Sequence, residues 1–294
     1  MSDIVEAIEN CIGNNAVLKG DSVKQRISVW GTNQPMEALA IVRPKNTDEV
    51  SSVLKLCNEQ SQPIVPQGGM TGLVKAGMPN SSEIAFSLER MNSIIDVDFD
   101  TATMTVEAGV TLQEAQEAAD AHGLMLPLDL GARGSATIGG NLSTNAGGNR
   151  VIRYGMTREM VLGVEAVLAD GTILSSLNKV LKNNTGYDLK QLFIGGEGTL
   201  GIITKAVLRL RPKPKSENTA FVSVNDFNNV VKLLRSLEVS LSGSLSAFEV
   251  MWSSAYRVLT GDHSHNSRPF PIEASHFVLV EALGGDPATD KDRF

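Results

Sequence analysis

The spacing of apolar residues in the first third of the chain predicts a helix followed by a β-α-β unit. Apolar positions recur at helical spacing within the first ten residues, and the continuous apolar run at 38–42 is typical of a buried strand. A helix follows with Thr47 as its predicted N-cap, and the next strand begins at 64–65. The unit leads into a glycine-rich stretch at 66–73, at the carboxyl end of a strand, where α/β folds bind ligands.

The middle of the chain is dominated by patterns that predict strands. These strands are predicted at 84–88, 94–99, 103–107, 161–169, 172–174 and 202–210. The Asp170-Gly171 pair favours a tight hairpin turn between two of them. Thr111 and Glu114 predict a capping box that opens an alanine-rich helix ending near His122. The order of elements predicts a mixed α+β fold.

A stiff, basic stretch at 211–216 predicts a linker between two domains. Beyond it, a strand at 220–224, a helix at 226–237 and a strand at 277–282 predict another β-α-β portion. A chain of 294 residues can hold one large or two moderate domains. Because no cap or closing strand follows the stretch at 284–286, we expect this chain to be a fragment whose second domain is unfinished.

Composition and charge restrict the classes of partner. The 26 basic and 33 acidic residues leave a net charge of −7, which disfavours nucleic acid as the main partner. The first ten residues contain no basic apolar stretch, and no run is long enough to span a membrane. We therefore expect a cytoplasmic protein with no integral membrane segment. Cys11 and Cys57 are far apart in sequence and are expected to be free thiols.

Two glycine-rich stretches, 67–72 and 135–148, predict a nucleotide diphosphate site. Either alone could be a simple connection, but together they place paired glycines beside small polar side chains. Glycine allows close approach of the backbone, and its N–H groups can face phosphate oxygens. The polar donors in these stretches are Thr71, Ser135, Thr137, Thr144 and Asn145. Neither a Walker loop nor a G-x-G-x-x-G fingerprint is present, so the two common nucleotide folds are excluded.

Six ordered motifs carry a resemblance to a known flavoprotein family. They lie at 66–72, 127–131, 139–148, 153–155, 184–189 and 196–204. Over about 41–214 the chain resembles the FAD-binding domain of the vanillyl-alcohol oxidase superfamily, the p-cresol methylhydroxylase (PCMH) type. Within it, the chain is most similar to the D-2-hydroxyglutarate and D-lactate dehydrogenase branch.

The resemblance implies a domain organisation. A helical segment at 1–36 precedes an FAD-binding domain at 37–214, made of two α+β subdomains at about 37–98 and 99–214. Part of an α+β substrate (cap) domain follows at 215–294.

The resemblance also implies where FAD contacts the chain. The stretch 67–73 wraps the diphosphate, 139–148 adds backbone and side-chain contacts, and Ile202-Ile203 lies against the adenine or isoalloxazine. The implied cofactor-binding residues are Pro66, Gln67, Gly68, Gly69, Met70, Thr71, Gly72, Leu73, Pro127, Asp129, Ser135, Thr137, Ile138, Gly139, Gly140, Asn141, Thr144, Asn145, Gly147, Gly148, Tyr154, Gly155, Glu197, Gly198, Gly201, Ile202 and Ile203. Some members of the superfamily tether the flavin through a histidine in the first loop. Here that loop holds Met70 and no histidine, so noncovalent FAD is expected.

The function implied by the resemblance is FAD-dependent oxidation of a D-2-hydroxy acid to the 2-oxo acid, with hydride transfer to flavin N5. The electron acceptor would be an electron-transfer flavoprotein, a quinone or a cytochrome, and a homodimer is one open oligomeric state. In the related dehydrogenases the substrate arginine, the metal ligands and the base lie further along the chain. We therefore expect no catalytic or metal-binding residue before Phe294, with Zn²⁺ relevant only to a full-length chain. These residues alone are expected to bind FAD weakly and not to turn over.

Several alternatives stay open at this point. A reductase of cell-wall precursor synthesis, or an alcohol or sugar oxidase, would share the flavin loops. A glycolate-oxidase-type subunit, or a non-catalytic flavin-binding subunit, would belong to a different class. The motifs at 127–131 and 184–192 favour the hydroxy-acid branch.

Individual polar residues outside the glycine pairs have ordinary structural interpretations beside the functional ones. Glu197 could cap a turn or contact the flavin, and Arg153 could be structural or a substrate contact. Tyr187-Asp188 could combine packing with a helix cap. The His263-x-His265 pair resembles a metal motif, but a loop with only Asp262 as a nearby carboxylate favours solvated surface.

Overall fold

The computed structural model describes residues 2–27, 31, 34–261, 266–271 and 273–294. The helices are α1 (Ser2–Ile12), α2 (Asp21–Lys24), α3 (Thr47–Glu59), α4 (Leu112–Ala121), α5 (Ile138–Ser143), α6 (Val151–Tyr154), α7 (Lys190–Phe193), α8 (Phe227–Ser240), α9 (Ser253–Leu259) and α10 (Pro287–Arg293). The strands are β1 (Val17–Leu18), β2 (Ala40–Val42), β3 (Ile64–Gln67), β4 (Ile84–Ser87), β5 (Ile94–Asp98), β6 (Thr103–Glu107), β7 (Leu124–Met125), β8 (Val161–Val167), β9 (Ile173–Ser176), β10 (Ile202–Arg209), β11 (Arg211–Pro212), β12 (Ser216–Val224), β13 (Leu245–Trp252) and β14 (His276–Gly284). The predicted α+β class is confirmed.

The chain divides into two compact units. The first contains Met1–Leu126, Gly131–Ala146 and Thr157–Pro212. The second contains Pro127–Leu130, Gly147–Met156 and Lys213–Phe294.

The predicted β-α-β unit builds the first sheet of the first unit, in the order β1-β2-β4-β3. β2 and β3 both pair in parallel with β4, which lies between them, so α3 is a crossover helix. Helices α1 and α3 bury their apolar faces against this sheet, and Ile8 and Val50 are fully buried there. The predicted N-cap is wrong by one residue. Asn46 caps α3, because its Oδ1 accepts a hydrogen bond from the Glu49 N–H at 2.8 Å.

A second sheet of the first unit is wholly antiparallel, in the order β5-β6-β10-β8-β9. The predicted hairpin is confirmed: β8 and β9 are joined through a turn at Asp170-Gly171, where Gly171 has φ +86°. The capping box of α4 is also confirmed, since Thr111 and Glu114 each accept from the other's backbone N–H. Helix α5, which lies within the second glycine stretch, packs against β6 and β10 of this sheet.

Thr47 has a role that the sequence did not predict. Its Oγ1 donates to the buried carboxylate of Glu165 on β8 at 2.6 Å. The same carboxylate accepts from Thr204 Oγ1 at 2.9 Å and lies 3.0 Å from Lys205 Nζ. Burial raises the pKa of Glu165, but the hydrogen bonds from Thr47, Lys205 and Thr204 outweigh it and hold the pKa below 4.5. The cluster therefore ties α3 to the second sheet through an ionised side chain.

Replacing Glu165 with alanine is expected to lower the free energy of unfolding at pH 7 by about 3 kcal/mol, because three donors lose one buried acceptor. The folded pKa is lowered, so this stability is present above the unfolded pKa and is lost as the pH falls through the folded value. Urea unfolding at several pH values measures both effects. The exposed Glu59 of α3 is the matched control, and equal losses in the two variants would contradict the assignment.

The second unit is built on a three-stranded antiparallel sheet in the order β12-β14-β13. One face is covered by α8, through Val230, Leu241 and the buried side chains of β14. The other face carries an aromatic cluster of Tyr256, Phe277, Phe221 and Phe270. The expected β-α-β portion is therefore corrected, because β13 intervenes and the pairing is antiparallel. The sequence did not predict β13, whose apolar residues are interrupted by Ser246 and Glu249.

The predicted linker at 211–216 is shorter in the structure. Arg211–Pro212 is a strand that pairs with β7, and β12 already begins at Ser216. Only residues 213–215 connect them, and the Lys215 N–H donates to Gly284 O at 2.9 Å. Of the two prolines in this stretch, Pro212 lies in a short strand and Pro214 lies in the connection.

Candidate functional site

The two glycine-rich stretches of the first unit lie against each other. A side chain on Gly69 would overlap the carbonyl oxygen of Ser135, and its Cβ would be 2.9 Å from Ala136 Cα. A Cβ on Gly68 would lie 2.8 Å from Thr137 Oγ1 and 3.1 Å from Gly140 Cα. Such separations are closer than real Cβ contacts, so glycine is required for the two backbones to meet. The sequence expectation that these bends converge is met by this geometry.

The second stretch continues into α5, which holds four of the predicted residues. Thr137 is its N-cap and accepts from the Gly140 N–H at 3.3 Å. The helix contains Ile138, Gly139, Gly140 and Asn141, and Thr144 and Asn145 follow it. The N–H groups of Ile138 and Gly139 donate to the carbonyls of Val110 and Ala108 at 2.8 and 2.7 Å. This helix start is thus anchored on the end of β6 and its following turn.

A third segment, around Glu197, meets both stretches. The Glu197 N–H donates to Ser143 O at 2.9 Å, and a Cβ on Gly198 would lie 2.8 Å from Pro66 Cγ. Three non-glycine residues of these segments have positive φ, namely Met70 (53°), Asn145 (47°) and Glu197 (50°). Strained backbone of this kind concentrates at ligand-binding sites. The turn interpretation of Glu197 fits its exposed side chain, and a flavin contact stays a prediction.

The first loop offers hydrogen-bond donors that the protein does not use. Among the described residues, the backbone N–H groups of Gly68, Gly69, Met70 and Thr71 donate to no protein acceptor. Asn141 is only 5% exposed, and within the described part of the chain its Nδ2 also lacks a hydrogen-bond partner. Of these donors only Asn141 Nδ2 is buried, and a buried donor without an acceptor is unfavourable unless a ligand or water supplies one. Gly68 is exposed and residues 69–71 are half-buried, so their N–H groups are accessible to a ligand or to water. The donor set is neutral and suits the oxygens of a phosphate group.

A cavity of about 570 Å³ opens beside the first loop, entirely within the first unit. It is lined by Gln25, Arg26, Ile27, Met36, Ile41, Gln67, Gly68, Gly69, Met70, Ser87, Leu88, Glu89, Asn92, Gly109, Thr111, Glu114, Ser135 and Thr137. This volume is within the range of small-molecule sites. Six of the predicted residues line it: Gln67, Gly68, Gly69, Met70, Ser135 and Thr137.

Sequence reasoning missed several residues of this cavity. Arg26 and Met36 lie in the segment expected only to be helical, and Glu89 follows a predicted strand without any motif. Thr111 and Glu114 were predicted only as a capping box, which they form while also lining the cavity. Gly109 carried a usable signal, because a side chain there would overlap Leu88 O, but a lone glycine does not identify a site.

Six of the predicted residues belong to the second unit: Pro127, Asp129, Gly147, Gly148, Tyr154 and Gly155. There, a side chain on Gly148 would overlap the carbonyl oxygen of Asp129, and the Asn149 N–H donates to the same oxygen at 3.3 Å. The predicted motif at 127–131 therefore meets the end of the predicted motif at 139–148 through backbone contact in this unit. Their role in binding stays a prediction.

Arginines anchor the segment 147–156 to the sheet of the second unit. Arg150 forms a two-pronged ion pair with Glu281 of β14, with Nε to Oε1 at 2.9 Å and a terminal nitrogen to Oε2 at 2.8 Å. Ser246 Oγ donates to the same carboxylate at 2.7 Å. Arg153 donates to the carbonyls of Leu283 and Ser244 at 2.6 and 3.2 Å, and it stacks on Tyr154. These contacts favour the structural interpretation of Arg153.

The remaining predicted residues are placed as follows. Ile202 and Ile203 begin β10 and are 4% and 3% exposed, which leaves them little surface to offer a ligand. Gly201 precedes them. In the first loop, Thr71 is half-buried, while Gly72 and Leu73 are exposed, Leu73 at 73%. Tyr187 is 96% exposed, and the hydrogen bond from Lys190 holds the pKa of the Asp188 carboxyl below 3.8.

No metal centre is found in the residues described. There, no group of three or more His, Cys, Asp or Glu side chains could hold an ion. His263 and His265 lie outside the described residues. His122 is at the C-terminal end of α4, with its Nδ1 2.8 Å from Ala118 O, as its helix-end position predicts. Over the same described residues, no helix combines the length and apolarity needed to cross a bilayer. Cys11 and Cys57 are free, as predicted.

Comparisons with known proteins agree with this geometry. The FAD binding domain family matches residues 38–176. The chain is 43% identical over 299 residues to a probable mitochondrial D-2-hydroxyglutarate dehydrogenase of Oryza sativa subsp. indica, covering 99% of this chain and 52% of the relative. It is also 43% identical over 252 residues to a putative mitochondrial D-lactate dehydrogenase of Schizosaccharomyces pombe, covering 86% of this chain and 48% of that protein. The chain thus spans about half the length of these curated relatives.

A solved structure of p-cresol methylhydroxylase with substrate bound has the same fold. The TM-score is 0.77 with 21% identity, over 99% of this chain and 62% of that chain. The PCMH type of fold is therefore confirmed.

The relatives correct one expectation. Both of these dehydrogenases are named as mitochondrial, so the cytoplasmic location expected from composition and from the first residues is wrong.

Proposed function

We propose that this chain, which matches the FAD binding domain family over 38–176 and is similar to D-2-hydroxyglutarate and D-lactate dehydrogenases, holds FAD for the oxidation of a D-2-hydroxy acid. The product would be the 2-oxo acid. The observation that carries the cofactor part is the contact between Gly68-Gly69 and the backbone at 135–140. The substrate part is supported by the names of the relatives and by the motifs at 127–131 and 184–192.

The residues of the first unit fit the diphosphate of FAD. Backbone N–H groups at 68–71 have no protein acceptor among the described residues, and no lysine lines the cavity there. Backbone donors can stabilise a buried anion without the desolvation of a lysine. The half-buried Thr137 and the buried Asn141 would add side-chain contacts. We propose that the residues of the first unit inferred from the resemblance bind FAD, and the role of those in the second unit stays a prediction.

When bound, the flavin supplies an acceptor for the hydride from C2 of the hydroxy acid. The protein residues described here bind and orient it. Apolar side chains such as Met36, Ile41 and Leu88 on the cavity wall exclude water. Attachment is proposed to be noncovalent, because the loop at 66–73 contains Met70 and no histidine.

The proposed partners are a small D-2-hydroxy acid and an electron acceptor. A related protein of Saccharomyces cerevisiae is named a D-2-hydroxyglutarate–pyruvate transhydrogenase, which makes a 2-oxo acid one candidate acceptor beside a flavoprotein, a quinone or a cytochrome. A mitochondrial location is proposed from the names of the relatives. The domain division at 36 and 214 and the homodimer stay predictions.

The test is a titration of the purified, FAD-depleted chain with FAD, followed by flavin fluorescence and visible absorbance. We expect saturable binding. The loaded protein is then mixed without oxygen with D-2-hydroxyglutarate, D-lactate or glycolate, and with the L-enantiomers of the first two as controls. Failure to bind FAD would contradict both the cofactor part and the substrate part of the proposal.

The bleaching pattern distinguishes the remaining alternatives. Loss of flavin colour with a D-acid and not with its L-enantiomer supports the dehydrogenase and would show that the chain alone can accept hydride. Bleaching by glycolate only favours a glycolate-oxidase-type subunit. Tight FAD binding with no bleaching by any acid is expected both for a dehydrogenase whose catalytic residues lie outside these 294 residues and for a non-catalytic flavin-binding subunit.

A further inference from the structure

The N-terminal segment forms one wall of the cavity, although it lies outside the matched domain at 38–176. Arg26, Ile27 and Met36 line it. Residues 26–27 and 35–36 of this segment contact each other: Ile27 pairs with Pro35 in an antiparallel bridge, and the Met36 N–H donates to Arg26 O at 2.8 Å. Met36 is 3% exposed, and its sulfur lies 3.7 Å from Gln67 Nε2, at the start of the glycine loop. The segment is thus seated directly on the first loop.

Arg26 belongs to a cluster of three charges beside the cavity. Its terminal nitrogen donates to Glu89 Oε1 at 2.8 Å, and Arg43 donates to the same oxygen at 3.1 Å. Arg43 is also held by Asn15 O at 2.7 Å, whereas the Arg26 side chain is 45% exposed. Two guanidinium groups and one carboxylate leave a formal charge of +1. Since Arg43 also neutralises Glu89, the remaining donors of Arg26 can serve a ligand.

Arg26 is the one lysine or arginine among the described residues that line the cavity. The other charged lining residues are Glu89 and Glu114, and Glu114 is engaged by the capping box of α4. Arg43 pairs with Glu89, but a diphosphate in the same cavity as Glu114 and Glu89 is still stabilised by a further cation. Resting on the function proposed above, we propose that Arg26 binds the diphosphate of FAD, so that a residue outside the FAD-binding domain contributes to its affinity.

The test compares Arg26→Gln with Lys24→Gln, which removes the same charge two residues earlier on an exposed side chain that does not line the cavity. The dissociation constants of FAD, ADP and riboflavin are measured by titration of the FAD-depleted chain. Arg26→Gln should weaken FAD and ADP about tenfold, as for the loss of one charge-assisted hydrogen bond. Riboflavin, which carries no phosphate, should bind as before, and Arg26→Lys should recover part of the loss.

A second readout separates binding from folding. The affinity of the unaltered protein for FAD should fall with salt more steeply than that of Arg26→Gln, because one ionic contact is gone. The Arg26 and Glu89 side chains are 45% and 35% exposed, and Arg43 still pairs with Glu89 in the variant, so thermal unfolding of the FAD-depleted chain should be almost unchanged. Equal loss of riboflavin and FAD affinity, or no loss of either, would overturn the proposal while leaving the FAD-binding function intact. Absence of FAD binding by the unaltered protein would instead remove the function on which it rests.

Discussion

Gly69→Ala is expected to weaken FAD binding by on the order of 100-fold, equivalent to about 2.8 kcal/mol. The new methyl group would overlap Ser135 O and approach Ala136 Cα to 2.9 Å. Both obstacles are backbone, so neither can move aside as a flexible side chain would. The two glycine stretches must therefore move apart. The backbone N–H groups of the first stretch then move away from Ser135 and Thr137, which line the same cavity. FAD titration of the FAD-depleted variant measures the loss.

Gly131→Ala is the matched control. It adds the same methyl group to the same unit, where nothing lies within 4 Å, and Gly131 is not among the proposed binding residues. Its FAD affinity should be unchanged. Gly69→Ala should also lower the free energy of unfolding, by about 1 to 3 kcal/mol, as for other forced contacts. If Gly69→Ala binds FAD as tightly as Gly131→Ala, the two stretches do not form the diphosphate site.

Glu281→Ala is expected to lower the free energy of unfolding by about 3 kcal/mol. The Arg150 and Glu281 side chains are 17% and 12% exposed, so removal of the carboxylate leaves a largely buried guanidinium without its main partner. Ser246, which is fully buried, loses an acceptor in the same change. Urea unfolding followed by circular dichroism measures the effect. Glu217→Ala removes the exposed second carboxylate near Arg150, at 4.0 Å and 60% exposed, and should cost less than about 0.5 kcal/mol.

The dependence on pH gives an independent check. Burial raises the pKa of Glu281, but hydrogen bonds from Arg150 and Ser246 outweigh it, and the pKa stays below 4.5. The stabilisation is therefore complete above the unfolded pKa and is lost as the pH falls through the lower folded value. The difference between Glu281→Ala and the unaltered protein should shrink below pH 4.5. A difference that is constant with pH would mean that lost packing, and not the ion pair, causes the effect.

Local signals in the sequence were sufficient for most of the first unit. The parallel β2-α3-β3 crossover, the hairpin at Asp170-Gly171 and the capping box at Thr111 each depend on residues close together in the chain, and each is present. The cap of α3 was misplaced because Asn46 and Thr47 are both good caps. The choice depends on the buried Glu165, which is 118 residues away in sequence and invisible to a local pattern.

The candidate site, too, could be predicted from the sequence only in part. The contact between 68–69 and 135–140 could be inferred from paired glycines, since only glycine permits such closeness. Arg26 and Glu89 could not, because an arginine in a polar segment has no distinguishing pattern until its tertiary partner is known. β13 and the antiparallel pairing of the second unit were missed for a related reason: strand order is set by contacts between distant segments.

The division of the chain also limits how it can be cut. The polypeptide passes between the two units at 126–127, 130–131, 146–147, 156–157 and 212–213. Cleavage in the proline-rich stretch near 212 would leave the short segments 127–130 and 147–156, which belong to the second unit, on the fragment that contains the first unit. Arg150 and Glu281, which form an ion pair, would then lie on different fragments. Deletion mapping of this protein should therefore remove or graft these insertions as a set with 213–294, not treat the chain as two consecutive blocks.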